Sequence, residues 1–314
     1  MTSCGMSSTH IKGSVPDCGS NAAVSGLTLA APAKLNVFLE ILGKRPDGFH
    51  ELATVMLRTQ FADQLTVHAT PSAKLTLEFS DATPDHLQKN IPLDGRNLIL
   101  RAAAAVRDSL GVTTGARFIL HKRIPPESGL GGGSSNAATA LLLCRQLWKP
   151  DLEDAVLHRI AASLGSDINF LLSGCAAAVC RGRGEIIEPV SLHGRFYFVA
   201  VRPKLGNSTA AIFRNTSLAH GHVTSDQTVD LLTGRQSGDL QSAVFNRMTE
   251  AARQVNPEMS LLMLQIERLT RRKVFMSGSG STVFIVARSC SEAAAFQSQI
   301  SKTLHRVVWI LETA

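Results

Sequence analysis

Residues 125–136 read PPESGLGGGSSN and lie between a predicted strand and a predicted helix. The preceding residues, ARFILHKRI, are rich in β-branched and aromatic side chains and favour a strand that ends at the prolines. The following residues, NAATALLLCRQLW, place apolar side chains at helical spacing, with Ser134 and Ser135 as candidate N-caps. Backbone N–H groups at a helix start attract anions, and glycines let a phosphate approach the main chain. The segment therefore favours a phosphate-binding loop over an ordinary flexible turn.

Three common kinds of phosphate loop do not fit this segment. A Walker loop ends in Gly-Lys-Ser/Thr, whereas the nearby lysine, Lys122, comes before the glycines. A dinucleotide fingerprint needs a third glycine where Ser134 stands. The HRD and DFG triplets of protein kinases are missing from the sequence.

The composition indicates a large globular protein with an anionic partner. The chain has 314 residues, 44% hydrophobic content and a formal net charge of +7, which suits nucleotides or phosphorylated metabolites. Nucleic acid is not expected, because aromatic residues make up only 5% and the basic run RLTRRK (268–273) is typical of a solvated helix end. Six cysteines without a CxxC pair predict neither a zinc site nor a disulfide framework, which favours a cytoplasmic protein.

The sequence predicts no membrane helix and divides into a tail and two domains. No apolar run approaches the roughly 20 residues that a membrane-spanning helix needs. Residues 1–26 are rich in serine and glycine and are interpreted as a disordered tail or a misassigned start. Residues 27–190 are expected to form an N-terminal domain that contains the glycine loop, and residues 191–314 are expected to form a C-terminal domain.

Further elements are predicted along the chain from spacing and breaker residues. Helices are expected at 97–110, 151–164, 240–255 and 257–270, and Gly165 is expected to end the second of these in the left-handed conformation. The second half is expected to place helices on an antiparallel sheet. A second glycine cluster, MSGSGSTVF (276–284), is interpreted as a tight turn with a bulge in preference to a cleft lining.

Three segments in order, PAKLNVFLEILGKRPDGFHEL, PPESGLGGGSSNAATAL and MSGSGSTVF, resemble the GHMP kinase superfamily over about residues 28–314. That resemblance implies an α+β two-domain fold. Residues 27–190 would be an ATP-binding N-terminal domain like ribosomal protein S5 domain 2, and residues 191–314 a ferredoxin-like, substrate-side C-terminal domain. It also implies transfer of the γ-phosphate of ATP to a small alcohol with Mg²⁺. PAKLN with the downstream DGFH is similar to the branch that phosphorylates the 2-hydroxyl of a cytidine diphosphate methylerythritol in isoprenoid synthesis.

The resemblance also assigns roles to individual residues. Lys34 matches the active-site lysine and Asp167 the catalytic aspartate, which would take the proton of the hydroxyl. Asn97 and Lys122 are expected to contact the nucleotide. Asn36, Phe49, His50 and, more weakly, Thr209 match substrate-side residues. The ATP-phosphate loop corresponds to Pro125, Pro126, Glu127, Ser128, Gly129, Leu130, Gly131, Gly132, Gly133, Ser134 and Ser135.

Two positions depart from the superfamily pattern. Phe49 stands where tyrosine is frequent, so stacking on cytosine survives but a phenol hydrogen bond does not. Glu127 places a negative charge inside the phosphate loop, and its side chain must point away for ATP to bind.

Several alternatives stay open at this point. The chain could be another GHMP kinase acting on homoserine, mevalonate or a sugar, against which DGFH and Asn36 argue. It could be a nucleotide-binding regulator, against which the retention of Lys34 and Asp167 argues. Taken alone, Asp167 could be a helix cap and Lys34 a solvated strand lysine. Protein ligands of Mg²⁺ are not fixed by the sequence, and a monomer or weak homodimer is expected.

Overall fold

The structure is a computed structural model that describes residues 26–218 and 221–314, so the predicted tail lies outside the described residues except for Gly26. The described residues form eleven strands, ten helices and one 3₁₀ turn at Leu240–Ser242. The strands are β1 (Leu27–Lys44), β2 (His50–Thr70), β3 (Leu75–Phe79), β4 (Gly115–His121), β5 (Ala177–Gly182), β6 (Ile186–Pro189), β7 (Tyr197–Val201), β8 (Phe245–Asn246), β9 (Phe275–Met276), β10 (Val283–Ala287) and β11 (Val308–Glu312). The helices are α1 (Asp85–Gln88), α2 (Leu98–Leu110), α3 (Gly132–Trp148), α4 (Asp154–Leu164), α5 (Ile168–Leu172), α6 (Thr209–Asn215), α7 (Asp226–Thr233), α8 (Thr249–Val255), α9 (Pro257–Thr270) and α10 (Cys290–Leu304).

The strands form two sheets. The larger sheet has the order β3-β4-β2-β1-β8, and β5 and β6 extend from the other part of the long strand β2. The smaller sheet has the order β11-β7-β10-β9 and is antiparallel throughout, which confirms the predicted helices-on-sheet arrangement of the second half.

The two sheets pack face to face, and alternate side chains of their strands belong to different apolar cores. On β2, Met56 faces a core shared with α2, α3 and α5, whereas Val55 and Leu57 face a second core. That second core includes Phe198 of β7, whose neighbour Val199 faces a third core beneath α8, α9 and α10. Because successive strand residues point to opposite faces, the layers run helices, large sheet, small sheet, helices. One of these three apolar cores therefore lies between the two sheets, and the other two lie between a sheet and its helices.

Three local predictions differ from the structure. The predicted helix 240–255 is wrong over its first half, because that stretch forms the 3₁₀ turn and then β8, which pairs in parallel with β1. Helix α3 begins at Gly132, so Ser134 and Ser135 lie inside its first turn and do not cap it. Gly165 ends α4 with a φ of 174°, which is extended and not left-handed.

One buried ion pair joins the two halves of the chain. Glu40 of β1 is fully buried and accepts hydrogen bonds from Arg247 at 2.6 and 2.8 Å and from the backbone of Val223. Burial of the Glu40 carboxyl raises its pKa, but bonds from Arg247, Val223 and Ile41 outweigh burial and hold the pKa below its ordinary value of 4.5. β8 also crosses the predicted boundary at residue 190, and that boundary stays a prediction. Within the described ranges, no helix has the length and apolarity to cross a membrane.

Candidate active site

Lys34 and Asn36 lie on β1 between two irregularities in its pairing with β2. The Lys34 ammonium donates to Asn36 Oδ1 at 2.5 Å, and Asn36 Nδ2 donates to Thr54 Oγ1 at 2.9 Å. Thr54 in turn donates to the carbonyl of Phe38, so its oxygen is an acceptor toward Asn36 and fixes which way the amide points. Lys34 is only 4% exposed, so the alternative of a solvated strand lysine is wrong.

Asp167 lies in the short turn between α4 and α5, far from Lys34 in sequence. Its carboxylate Oδ2 lies 3.2 Å from the Lys34 ammonium, and its side chain is 27% exposed. It makes no side-chain capping bond to α5, although it precedes that helix. The geometry therefore favours a charge pair with Lys34 over a capping role.

The glycine loop has its carbonyl groups turned into the protein. Ser128 O accepts from Thr282 N at 3.0 Å, and Leu130 O accepts from Lys34 N at 2.9 Å. Gly129 O accepts from the Ser277 hydroxyl at 3.1 Å. Gly129 and Gly131 have φ values of 78° and 70°, which only glycine adopts readily. With its acceptors facing the protein, the loop is left to present N–H donors to the cleft.

The start of α3 continues the same surface. The first N–H groups of a helix have no acceptor inside it and carry the positive end of the dipole. A Cβ on Gly131 would lie 2.7 Å from Lys34 Cγ, so the loop also packs directly on the lysine. The glycine loop and the Lys34–Asp167 pair are therefore neighbours.

The second glycine cluster is both a turn and part of the cleft wall. β9 and β10 pair in antiparallel fashion on either side of it, and Gly278, Ser279 and Gly280 line the cavity. Ser277 accepts from Asn36 N at 3.2 Å and donates to Gly129 O, so one hydroxyl joins β1 to the phosphate loop. The prediction favoured the turn alone and missed this contact, because the pattern of a turn does not show what it packs against.

All of these elements line one cavity of about 970 Å³. Its walls come from both halves of the chain, and its volume lies at the upper end of the range of ligand pockets. The lining includes Lys34, Asn36, Thr54, Leu98, Pro125 to Gly129, Gly131 to Ser134, Asp167, Arg183, Thr209, Phe213, Met248 and Gly278 to Gly280.

Aromatic groups flank the β1–β2 turn beside this cavity. The Phe49 side chain is 51% exposed, and the Arg183 guanidinium lies 4.7 Å from its ring centroid. His50 stacks on Phe213 with centroids 4.6 Å apart and planes at 19°. Sequence reasoning missed Phe213 and Arg183, because one aromatic on a short helix and one arginine in a turn form no pattern.

The comparisons with known proteins agree with this geometry. Residues 97–182 match the GHMP kinases N terminal domain. Over 259 residues the chain is 35% identical to 4-diphosphocytidyl-2-C-methyl-D-erythritol kinase of Geobacillus thermodenitrificans (strain NG80-2). The matched region covers 82% of this chain and 87% of that protein. The chain belongs to the 4-diphosphocytidyl-2-C-methyl-D-erythritol kinase family. The resemblance to GHMP kinases is thereby confirmed, and the chain is an ATP-dependent kinase.

Solved structures confirm the predicted α+β fold. A crystal structure of 4-(cytidine 5'-diphospho)-2C-methyl-D-erythritol kinase matches with a TM-score of 0.74 and 28% identity, covering 91% of this chain and 98% of that one. The mevalonate kinase of Methanococcus jannaschii matches with a TM-score of 0.64, covering 93% of this chain and 100% of that one. At 12% identity the second likeness shows the fold alone.

Two residues predicted to contact the nucleotide have their side chains engaged elsewhere. Asn97 caps α2 by accepting from Ile99 N at 2.9 Å and donates to Pro92 O at 2.7 Å. Lys122 is buried and pairs with Asp63 at 2.6 Å. Neither lines the cavity, so the structure gives both side chains a structural role and does not bring them to the cleft.

The other predicted residues lie at or beside the cleft. Thr209 lines it and shares a hydrogen bond of 2.8 Å with the Ser279 hydroxyl. Glu127 is exposed to solvent, with a φ of 53°, and its carboxylate lies 3.6 Å from where a Cβ on Gly206 would be. Glu127 and Gly206 both line the cavity, so the carboxylate lies at the cleft, on the side of Gly206. The roles of all these residues in binding stay predictions.

Proposed function

We propose that the chain transfers the γ-phosphoryl group of ATP to the 2-hydroxyl of 4-diphosphocytidyl-2-C-methyl-D-erythritol. The observation that carries the proposal is the Lys34–Asp167 pair, with its 3.2 Å separation, beside the glycine cradle. The names of the relatives indicate the substrate. The charge pair and the glycine loop of the cleft are the groups that phosphoryl transfer to such a substrate needs.

The loop from Pro125 to Ser135 fits the phosphates of ATP. Three of its carbonyls accept hydrogen bonds from within the protein, and the start of α3 offers free N–H groups. The loop can therefore bind oxyanions through the main chain. When bound with ATP, Mg²⁺ would offset the negative charge of the phosphates. Ser134 is a loop hydroxyl that lines the cavity and would contact the ion. A Cβ at Gly131 would collide with the Lys34 side chain, so a glycine here lets the loop pack closely on that lysine.

The β1–β2 turn fits the cytidine end of the second substrate. The Phe49 ring is exposed on one side and covered by Arg183 on the other, so a base can stack on it. His50 is held by Phe213 and can hydrogen-bond a base edge through its imidazole. Arg183 also lines the cleft and brings positive charge to the diphosphate.

Asp167 would act as the general base. Its carboxylate accepts the proton of the 2-hydroxyl while that oxygen bonds to the γ-phosphorus, and the bond to the β–γ bridging oxygen breaks to release ADP. The Lys34 ammonium offsets negative charge on the phosphoryl group during transfer. Asn36, fixed by Thr54, holds the ammonium in place.

The test is a substrate panel. Purified protein is incubated with Mg·ATP and, separately, the cytidine diphosphate alcohol, homoserine, mevalonate or a sugar, and ADP release is followed. The proposal expects ADP with the cytidine substrate and background release with the others. Release with homoserine, mevalonate or sugar but not with the cytidine substrate would overturn the substrate assignment while leaving the kinase activity.

A further inference from the structure

Asp63 on β2 is a fully buried carboxylate that the proposed chemistry does not use. Its Oδ1 accepts from the backbone N–H of Arg123 at 2.7 Å and of Ile124 at 2.8 Å. Its Oδ2 accepts from Lys122 Nζ at 2.6 Å and from Asn136 Nδ2 at 2.9 Å. One side chain therefore receives four hydrogen bonds, which is close to all that a carboxylate can accept.

The donors lie at the two ends of the phosphate loop. Arg123 and Ile124 directly precede Pro125, where the loop begins, and Asn136 follows Ser135, where it ends. The carboxylate thus links the two ends of the loop and fixes both to β2, the central strand of the large sheet. The part in between carries the positive-φ glycines, which would otherwise make it flexible.

Lys122 is the charged partner of Asp63 and lies below the cleft. Its ammonium lies 2.9 Å from where a Cβ on Gly132 would be, directly under the first turn of α3. It is 2% exposed, and burial lowers the pKa of its ammonium while Asp63 opposes that effect. A buried charge pair with good hydrogen bonds on both sides is costly to break by removing one partner.

We propose that Asp63 is a positioning residue that holds the phosphate loop in its nucleotide-binding conformation before ATP arrives. A preformed loop spares ATP the entropy of ordering it, so Asp63 raises the affinity for nucleotide without touching it. The inference rests on the proposed function in taking ATP as the ligand of this loop. It also assigns Lys122, which does not reach the cleft, a role as the counter-ion of Asp63.

The first test is Asp63→Asn, measured by calorimetric binding of the magnesium complex of the imido analogue of ATP without the alcohol. The new amide group would face Lys122 Nζ and Asn136 Nδ2, so donors would oppose donors and the loop would be released at its base. We expect nucleotide affinity to fall at least about tenfold and the KM for ATP to rise in step, while the KM for the alcohol stays within about twofold.

A second variant keeps the test valid if the first does not fold. Asp63→Ala with Lys122→Met removes both charges, so no unpaired charge stays buried, yet Arg123 and Ile124 lose their acceptor. The same loss of affinity is expected. Asp239→Asn is the matched control: Asp239 also accepts from a backbone N–H and from a buried guanidinium, that of Arg272 at 2.8 Å, but does not line the cleft.

The outcomes separate the two proposals. Normal nucleotide binding by wild type and by folded Asp63 variants would overturn the inference alone. Equal losses in the Asp63 variants and in Asp239→Asn would also overturn it, because they would reflect stability alone. Failure of the wild type to bind the nucleotide analogue would overturn the proposed function, and the inference with it.

Discussion

Replacing Asp167 by Asn tests the base directly, because it removes the proton acceptor and keeps the shape. Positioned general bases contribute roughly 10²–10⁴-fold in rate, or about 3–5 kcal/mol of transition-state stabilisation. The structure places Asp167 Oδ2 3.2 Å from the Lys34 ammonium, and the Asp167 side chain makes no capping bond to α5. We therefore expect kcat to fall by roughly 10²–10⁴-fold.

The same variant should remain folded. No capping bond is lost, and the amide oxygen of Asn can still accept from the Lys34 ammonium, which keeps its bond to Asn36 Oδ1. Because Lys34 is buried, loss of its partner's charge should lower the free energy of unfolding by about 1–3 kcal/mol. The KM for ATP should stay near that of the wild type, because the cradle is made of main chain.

The assay is steady-state ADP release with both substrates varied, alongside urea unfolding of the same samples. Asp154→Asn is the control, since Asp154 is an exposed carboxylate that pairs with Arg145 on the outside of the neighbouring helix. A folded Asp167→Asn protein whose kcat lies within about threefold of the wild type would refute the base assignment.

Three further predictions concern substrate binding, the glycine loop and acid stability. Phe49→Ala should raise the KM for the cytidine substrate about 5- to 150-fold, the equivalent of one stacked base, and leave the KM for ATP alone; an equal rise in both would count against the assignment. Gly129→Ala should lower the free energy of unfolding by more than about 1 kcal/mol in urea, because its φ is 78° and the new Cβ would lie 2.5 Å from Ser277 O, whereas Gly95→Ala, with nothing within 4 Å, should be neutral. Glu40 has a lowered pKa, so its stabilisation should be complete above pH 4.5 and be lost as the pH falls through the folded-state pKa; unfolding free energies measured across that range should show a loss that Glu40→Gln removes, and parallel profiles would contradict it.

The local elements around the cleft could be predicted from the sequence because each rests on a short-range rule. The strand before the prolines, the helix after the glycines and the hairpin around 276–284 follow from side-chain spacing and from glycine and proline positions. The same rules failed at 240–255, where β8 pairs with β1 and Asn246 donates to Met276 O and Gly278 O, partners that are all distant in sequence. Periodicity carries no information about such partners.

The resemblance to GHMP kinases named Lys34 and Asp167, but their proximity could not be read from spacing. It depends on the β1–β2 pairing, on α3 and on the turn before α5 all meeting at one cleft. Asp63 was even less predictable from the sequence. Within QFADQL it is one polar residue in a strand, and only the fold shows that it accepts four hydrogen bonds from donors at both ends of the loop.

By itself, the sequence determined that this chain carries a strand–glycine loop–helix unit suited to phosphate, on an α+β scaffold of the GHMP kinase type. Tertiary structure alone decided which distant side chains meet that loop and which way their donors point. Backbone conformation is set by neighbours along the chain, whereas a charge pair or a buried hydrogen bond forms only between groups that packing brings within about 3 Å.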